Sequence, residues 1–117
     1  MTNPERGAFL ADAQRDQIEK LLVLARYLEI AHHVPGRIRL RILPAGFSKV
    51  RGLDITGIVL GIPGVISMRT NAAARSVIIE YNQRRLPFEL WQKFGQIEQQ
   101  PENIEEVAAH LRALLKN

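Results

Sequence analysis

Arg37-Ile38-Arg39-Leu40-Arg41-Ile42 alternates a guanidinium with a large apolar side chain at every step. Successive side chains of an extended chain point to opposite faces. The run is therefore read as a half-buried strand, with Ile38, Leu40 and Ile42 on a hydrophobic interior and three arginines turned away from it. Pro35-Gly36 lies just upstream and predicts a bulge or bend within an extended segment over 29–43. Pro44 and Gly46 end the strand on the other side.

Before this strand, Leu10, Ala13, Ile18, Leu21, Leu22, Ala25 and Leu28 recur at helical spacing, with Arg15, Asp16, Glu19, Lys20 and Arg26 between them. The pattern predicts an amphipathic helix over 9–28, after a loose tail at 1–8. After the strand, a helix is expected from Ser48, as its N-cap, to Leu60 or Gly61. Its glycines at 52 and 57 let it sit close to a sheet. Ile62-Pro63-Gly64 stops it. Strands are predicted at 65–71 and 76–81, joined by a turn at 72–75 into a hairpin. Met68 alternates as a core residue.

Pro87 opens a third helix through Phe88, Leu90, Trp91 and Phe94 to about Gly95. Pro101 opens a last one, with Ile104, Val107, Ala108, Leu111, Leu114 and Leu115 in one stripe. Without the outer helices the order is β-α-β-β-α. This is an α+β chain on a ferredoxin-like, split βαβ plan that lacks a last strand. Either the extended residues before Pro35 or a short strand near 96–99 would supply the missing edge. The organisation is then a tail and amphipathic helix at 1–28, a central domain at 29–99 and a C-terminal helix at 100–117.

The 117 residues allow one domain with one core, and 46% apolar with 24% charged residues is an ordinary globular composition. Sixteen Lys and Arg, twelve of them Arg, against twelve Asp and Glu give a net charge of +4, which suits an anionic partner without requiring one. The absence of cysteine excludes disulfides, thiolate metal sites and cysteine nucleophiles. The first residues lack the apolar core of a signal peptide, and no apolar run is long enough to span a bilayer. A cytoplasmic location is expected.

Residues 31–94 resemble the heavy-metal-associated domain superfamily, in its divergent second type, found fused to cation-pumping P-type ATPases and as small free-standing proteins. The carriers are His32-His33-Val34-Pro35-Gly36-Arg37-Ile38-Arg39-Leu40-Arg41, then Gly61-Ile62-Pro63-Gly64-Val65, Asn71, and Ser76-Val77-Ile78-Ile79-Glu80-Tyr81-Asn82. The resemblance implies a βαββαβ sandwich and a role around metals or metal-containing cofactors. Typical members carry a Cys-x-x-Cys loop after the first strand. Here that loop is Leu43-Pro44-Ala45-Gly46-Phe47-Ser48, so transfer of Cu(I) or Zn(II) through paired thiolates is ruled out.

His32 and His33 are the candidate ligands for a transition metal or haem iron. Adjacent residues of a strand point to opposite faces, so the pair cannot easily grip one ion. His33 has the parity of Arg37, Arg39 and Arg41, provided the Pro35-Gly36 bend does not flip the register. A haem would then find an axial nitrogen beside guanidiniums for its propionates. With Arg69 on a neighbouring strand, the arginines form a basic face for an anionic ligand or an acidic protein. They carry no interleaved aromatics, which argues against sequence-specific nucleic-acid binding.

His110 lies four residues after Glu106, a spacing that could make a two-ligand site, but a surface histidine is the preferred reading. No triad, zincin motif or phosphate loop is present, so no catalytic residues are expected. The expectation is a non-enzymatic module that binds a metal, a metal-containing cofactor or a metal-handling partner. The alternative is an interaction protein that forms homo-oligomers or docks through its terminal helices.

Overall fold

The computed structural model describes residues 16–116. Helix α1 occupies 16–25 of these. It is followed by β1 (Leu28–Val34), β2 (Arg37–Ile42), a 3-10 turn (Pro44–Gly46), α2 (Phe47–Val50), α3 (Ile55–Leu60), β3 (Val65–Asn71), β4 (Ser76–Tyr81), α4 (Phe88–Gly95) and α5 (Asn103–Lys116). The protein is α+β, with one four-stranded antiparallel sheet in the order β1-β2-β4-β3. Because β2 and β3 both run antiparallel to β4, they are parallel to each other, and the chain between them crosses over through α2 and α3.

The alternation in β2 places its apolar residues as expected. Ile38 and Leu40 are 0% and 1% exposed, while Arg37, Arg39 and Arg41 are exposed. On neighbouring strands Leu28, Val77, Ile79 and Tyr81 are buried with them. The helices complete the same core: Ile18, Leu21, Leu24 and Ala25 from α1, Ile58 and Val59 from α3, Leu90, Trp91 and Phe94 from α4, and Val107 and Leu111 from α5. Met68 packs half-buried against this core. The described parts of the amphipathic stripes of α1 and α5 are thus packed within this core. Each buried Leu or Ile contributes about 1.5–3 kcal/mol.

Both strands of the predicted hairpin have the expected bounds, as has the helix from Phe88 to Gly95. Four features differ. The extended segment over 29–43 is two strands rather than one with a bend: Pro35 and Gly36 are the two central residues of a hairpin turn, and Gly36 takes φ +84°. A proline followed by a left-handed glycine suits a type II turn. The segment before Pro35 thus supplies the edge strand, and 96–100 forms turns instead of a strand.

The helix expected from Ser48 is broken in two. Gly52, at φ +87°, reverses the chain between α2 and α3, and the N-cap that matters is Asp54, whose carboxylate accepts from the Gly57 N–H at 3.0 Å. The first helix ends at 25, so that Leu28 opens β1 instead of closing the helix. The tail at 1–8, the helical prediction for 9–15 and the Leu115 side chain lie outside the described residues.

Candidate functional site

The hairpin of β1 and β2 decides which histidine meets the arginines. Its two-residue turn pairs Val34 with Arg37, His33 with Ile38 and His32 with Arg39. Directly paired residues share a face of a sheet. His33 therefore faces inward with Ile38, and His32 joins the arginines. The expected parity of His33 is reversed, because a two-residue turn pairs even positions of β1 with odd positions of β2. A bulge between Ile30 and His32 then shifts the register once more, so that Leu28 and Ile30 also face inward, opposite Ile42 and Leu40.

The outer face follows from the same register. His32, Arg39, Ile78 and Arg69 form one row across the four strands. Val34, Arg37, Glu80 and Ser67 form the next. Glu29 pairs with Arg41 beyond them. All four arginines anticipated for this face are on it and exposed. None of the core helix residues lies on this side of the sheet.

The four guanidiniums are not equivalent. Arg41 is held by Glu29 at 2.9 Å, and Arg69 meets Glu80 at 3.8 Å. These are exposed pairs, worth about 0–1 kcal/mol each. Arg37 and Arg39 have no ion-pair partner among the described residues. Their side chains are ready to meet a carboxylate from outside, through charge-assisted hydrogen bonds.

His33 is engaged on every side. Its Nδ1 lies 2.8 Å from Gln92 Oε1 and its Nε2 2.8 Å from the Tyr81 hydroxyl. An amide oxygen only accepts, so Nδ1 carries the proton, and the Tyr81 hydroxyl donates to Nε2. The ring also stacks on Phe88, with centroids 3.8 Å apart and planes 6° from parallel. Phe88 and Gln92 are one helical turn apart on α4 and so share a face. The histidine ties β1 to α4 and β4. Coordination of a metal by either nitrogen would forfeit one of these hydrogen bonds.

Burial is the main cause that lowers the His33 pKa below its ordinary 6.5, with His32 adding to it and the bond to Gln92 opposing it. The sign for stability follows. Well above pH 6.5 the ring is neutral in both states. As pH falls, the unfolded chain takes up the proton first, and stability drops until the folded pKa is passed. We expect the urea midpoint of the wild type to fall on acidification from neutral pH, and His33→Gln to remove that part of the slope. Parallel slopes in the two proteins would show that His33 does not titrate as described.

His32 is exposed and its side chain makes no hydrogen bond with the described residues. No group of three or more His, Cys, Asp or Glu among the described residues is placed to hold a metal ion. Glu106, four residues before His110, is ion-paired with Lys93. Trp91 is a core anchor, 3% exposed, against Tyr81 and Phe94. No helix among the described residues is long and apolar enough to cross a membrane. The clasp of Gln92, Tyr81 and Phe88 on His33 had one sequence signal, the four-residue spacing of Phe88 and Gln92. No family model, curated protein or solved structure matches the chain.

Proposed function

We propose that this chain is a non-enzymatic binding module, related to heavy-metal-associated domains, that docks an acidic protein partner on the outer face of its sheet. The observation that carries this reading is the convergence of Arg37, Arg39, Arg41 and Arg69 on a face left uncovered by the described helices. Docking is reversible and electrostatic, with no covalent turnover. Arginine is enriched in protein interfaces, and here it is flanked by Val34 and Ile78, which add apolar contact. The outer rows contain no Phe, Tyr or Trp on which bases could stack, so a protein partner explains the face better than a nucleic acid.

The relationship to heavy-metal-associated domains rests on the segments around His32, Gly61 and Ser76. The order β1-β2-β4-β3, with a helical crossover from β2 to β3, supports a ferredoxin-like arrangement in which β1 takes the edge usually filled by a last strand. On this reading the partner is a metal-handling protein. A bound metal or haem is less well supported: His33 is committed to protein partners, and around His32 the named outer rows offer only Val34 and Ile78 as apolar surface for a macrocycle.

The test uses fluorescently labelled polyglutamate as a defined acidic probe. Wild type should bind, with affinity falling about tenfold between ~0.05 M and ~0.3 M salt. The Arg37→Ser/Arg39→Ser/Arg41→Ser/Arg69→Ser variant should lose binding. Removal of four charges elsewhere, in Arg51→Ser/Arg84→Ser/Arg85→Ser/Arg112→Ser, should leave most of it. Equal loss in both variants would reduce the effect to net charge and end the proposal.

A further inference from the structure

We infer that the acidic partner is a second copy of this chain, docked head to tail with its Glu102 and Glu105 against Arg37 and Arg39. This inference rests on the docking face proposed above and names its occupant. Unmatched exposed charge of opposite sign lies on two different parts of the fold, although arginines unpaired among the described residues, such as Arg112, also occur on the helices. On the outer face of the sheet, Arg37 and Arg39 lack ion-pair partners among the described residues. On the helical side, Glu98, Glu102 and Glu105 are exposed and equally without ion pairs, while Glu106 beside them is neutralised by Lys93.

The spacings are compatible. Glu102 immediately precedes α5 and Glu105 lies in its first turn, less than one helical turn further on, which keeps the two carboxylates within about 5 Å along the axis. Arg37 and Arg39 are two residues apart on one face of a strand, about 6.5–7 Å. Two carboxylates of one molecule can thus meet two guanidiniums of the next.

Other modes of self-association are disfavoured. A two-fold contact of sheet face on sheet face would set arginine against arginine. Edge-to-edge pairing meets irregular strands, since β1 is bulged at Ala31 and β3 at Ile66. The described parts of the apolar stripes on α1 and α5 are buried inside their own chain. Among the described residues, what remains is a heterologous contact between unlike patches, which builds a ring or an open chain of copies.

Sedimentation velocity over a concentration series tests this with the full chain. Wild type should associate at low salt and return to monomer at moderate salt. Arg37→Glu/Arg39→Glu and Glu102→Lys/Glu105→Lys should each be monomeric alone, and an equimolar mixture of the two should associate again, because each then presents the patch the other needs. The milder Glu102→Gln/Glu105→Gln variant, which introduces no cation at the helix start, should also be monomeric. A wild type that stays monomeric at low salt, reversal variants that associate like wild type, or a mixture that stays monomeric would each overturn the inference. Polyglutamate binding separates the two levels: a monomeric wild type that still binds the probe loses only the second copy, and one that does not bind it loses the docking face too.

Discussion

Leu40→Ala lowers the free energy of unfolding by about 2–5 kcal/mol, whereas Arg39→Ala next to it changes stability by no more than ~0.5 kcal/mol. Leu40 is 1% exposed in the middle of β2 and faces the same way as its cross-strand partners Ile30 and Val77. Truncation would open a cavity beneath α4, because the region around Gly95 of that helix rests on Leu40 and Ile30. Interior packing is too dense to collapse fully into the gap. Arg39 projects from the uncovered side and makes no ion pair with the described residues, so little is lost with it. Urea denaturation of the two variants checks the contrast. Comparable losses would mean that β2 does not have one dry face and one wet face, and the docking surface would fail with it.

Gly95→Val should destabilise by about 1–3 kcal/mol, although valine is the better helix former of the two. A β-carbon at position 95 would collide with the Ile30 side chain and press on Leu40 Cδ2 at 3.2 Å. Leu40 is locked within the core and the half-buried Ile30 packs against it, so neither has much room to retreat. The helix must lift from the sheet, and the loss of contact outweighs a helix-propensity gain of less than ~1 kcal/mol. The same movement would carry Gln92 and Phe88 away from His33. A thermal melt and the tryptophan fluorescence of Trp91 report both effects. A more stable Gly95→Val would show that α4 does not approach β1 and β2 this closely.

The sheet was legible in the sequence because period-two alternation survives without knowledge of neighbours. Ile38 and Leu40 declare their side directly, and so do Val77 and Ile79. The basic face came with them, since Arg37, Arg39 and Arg41 can only lie opposite, and Arg69 reaches the same face through its pairing with Ile78. The side taken by His33 was not legible. It depends on two register changes, one from the two-residue turn and one from the bulge at Ala31, and a bulge leaves no mark on a short strand such as Leu28-Glu29-Ile30-Ala31-His32-His33-Val34. The partners of His33 were hidden for another reason: Tyr81 and Gln92 are 48 and 59 residues away along the chain, and only packing brings them together. Ser48 and Asp54 both offer an N-cap. Gly52 decided between them by taking a positive φ that divides the helix.

The hairpin turn at Pro35-Gly36 also bears on how the chain finds its fold. An edge strand joined to its neighbour by two residues needs almost no loop closure, and hairpins of this kind form in about 1–10 μs. Had residues after Phe94 filled that edge, β2 would have waited for a segment some sixty positions distant, and long-range pairing slows folding. During synthesis the β1–β2 ribbon can therefore assemble before β3 and β4 leave the ribosome. The final helix is released from completing the sheet and has only to cap a nucleus already begun at the other end of the chain.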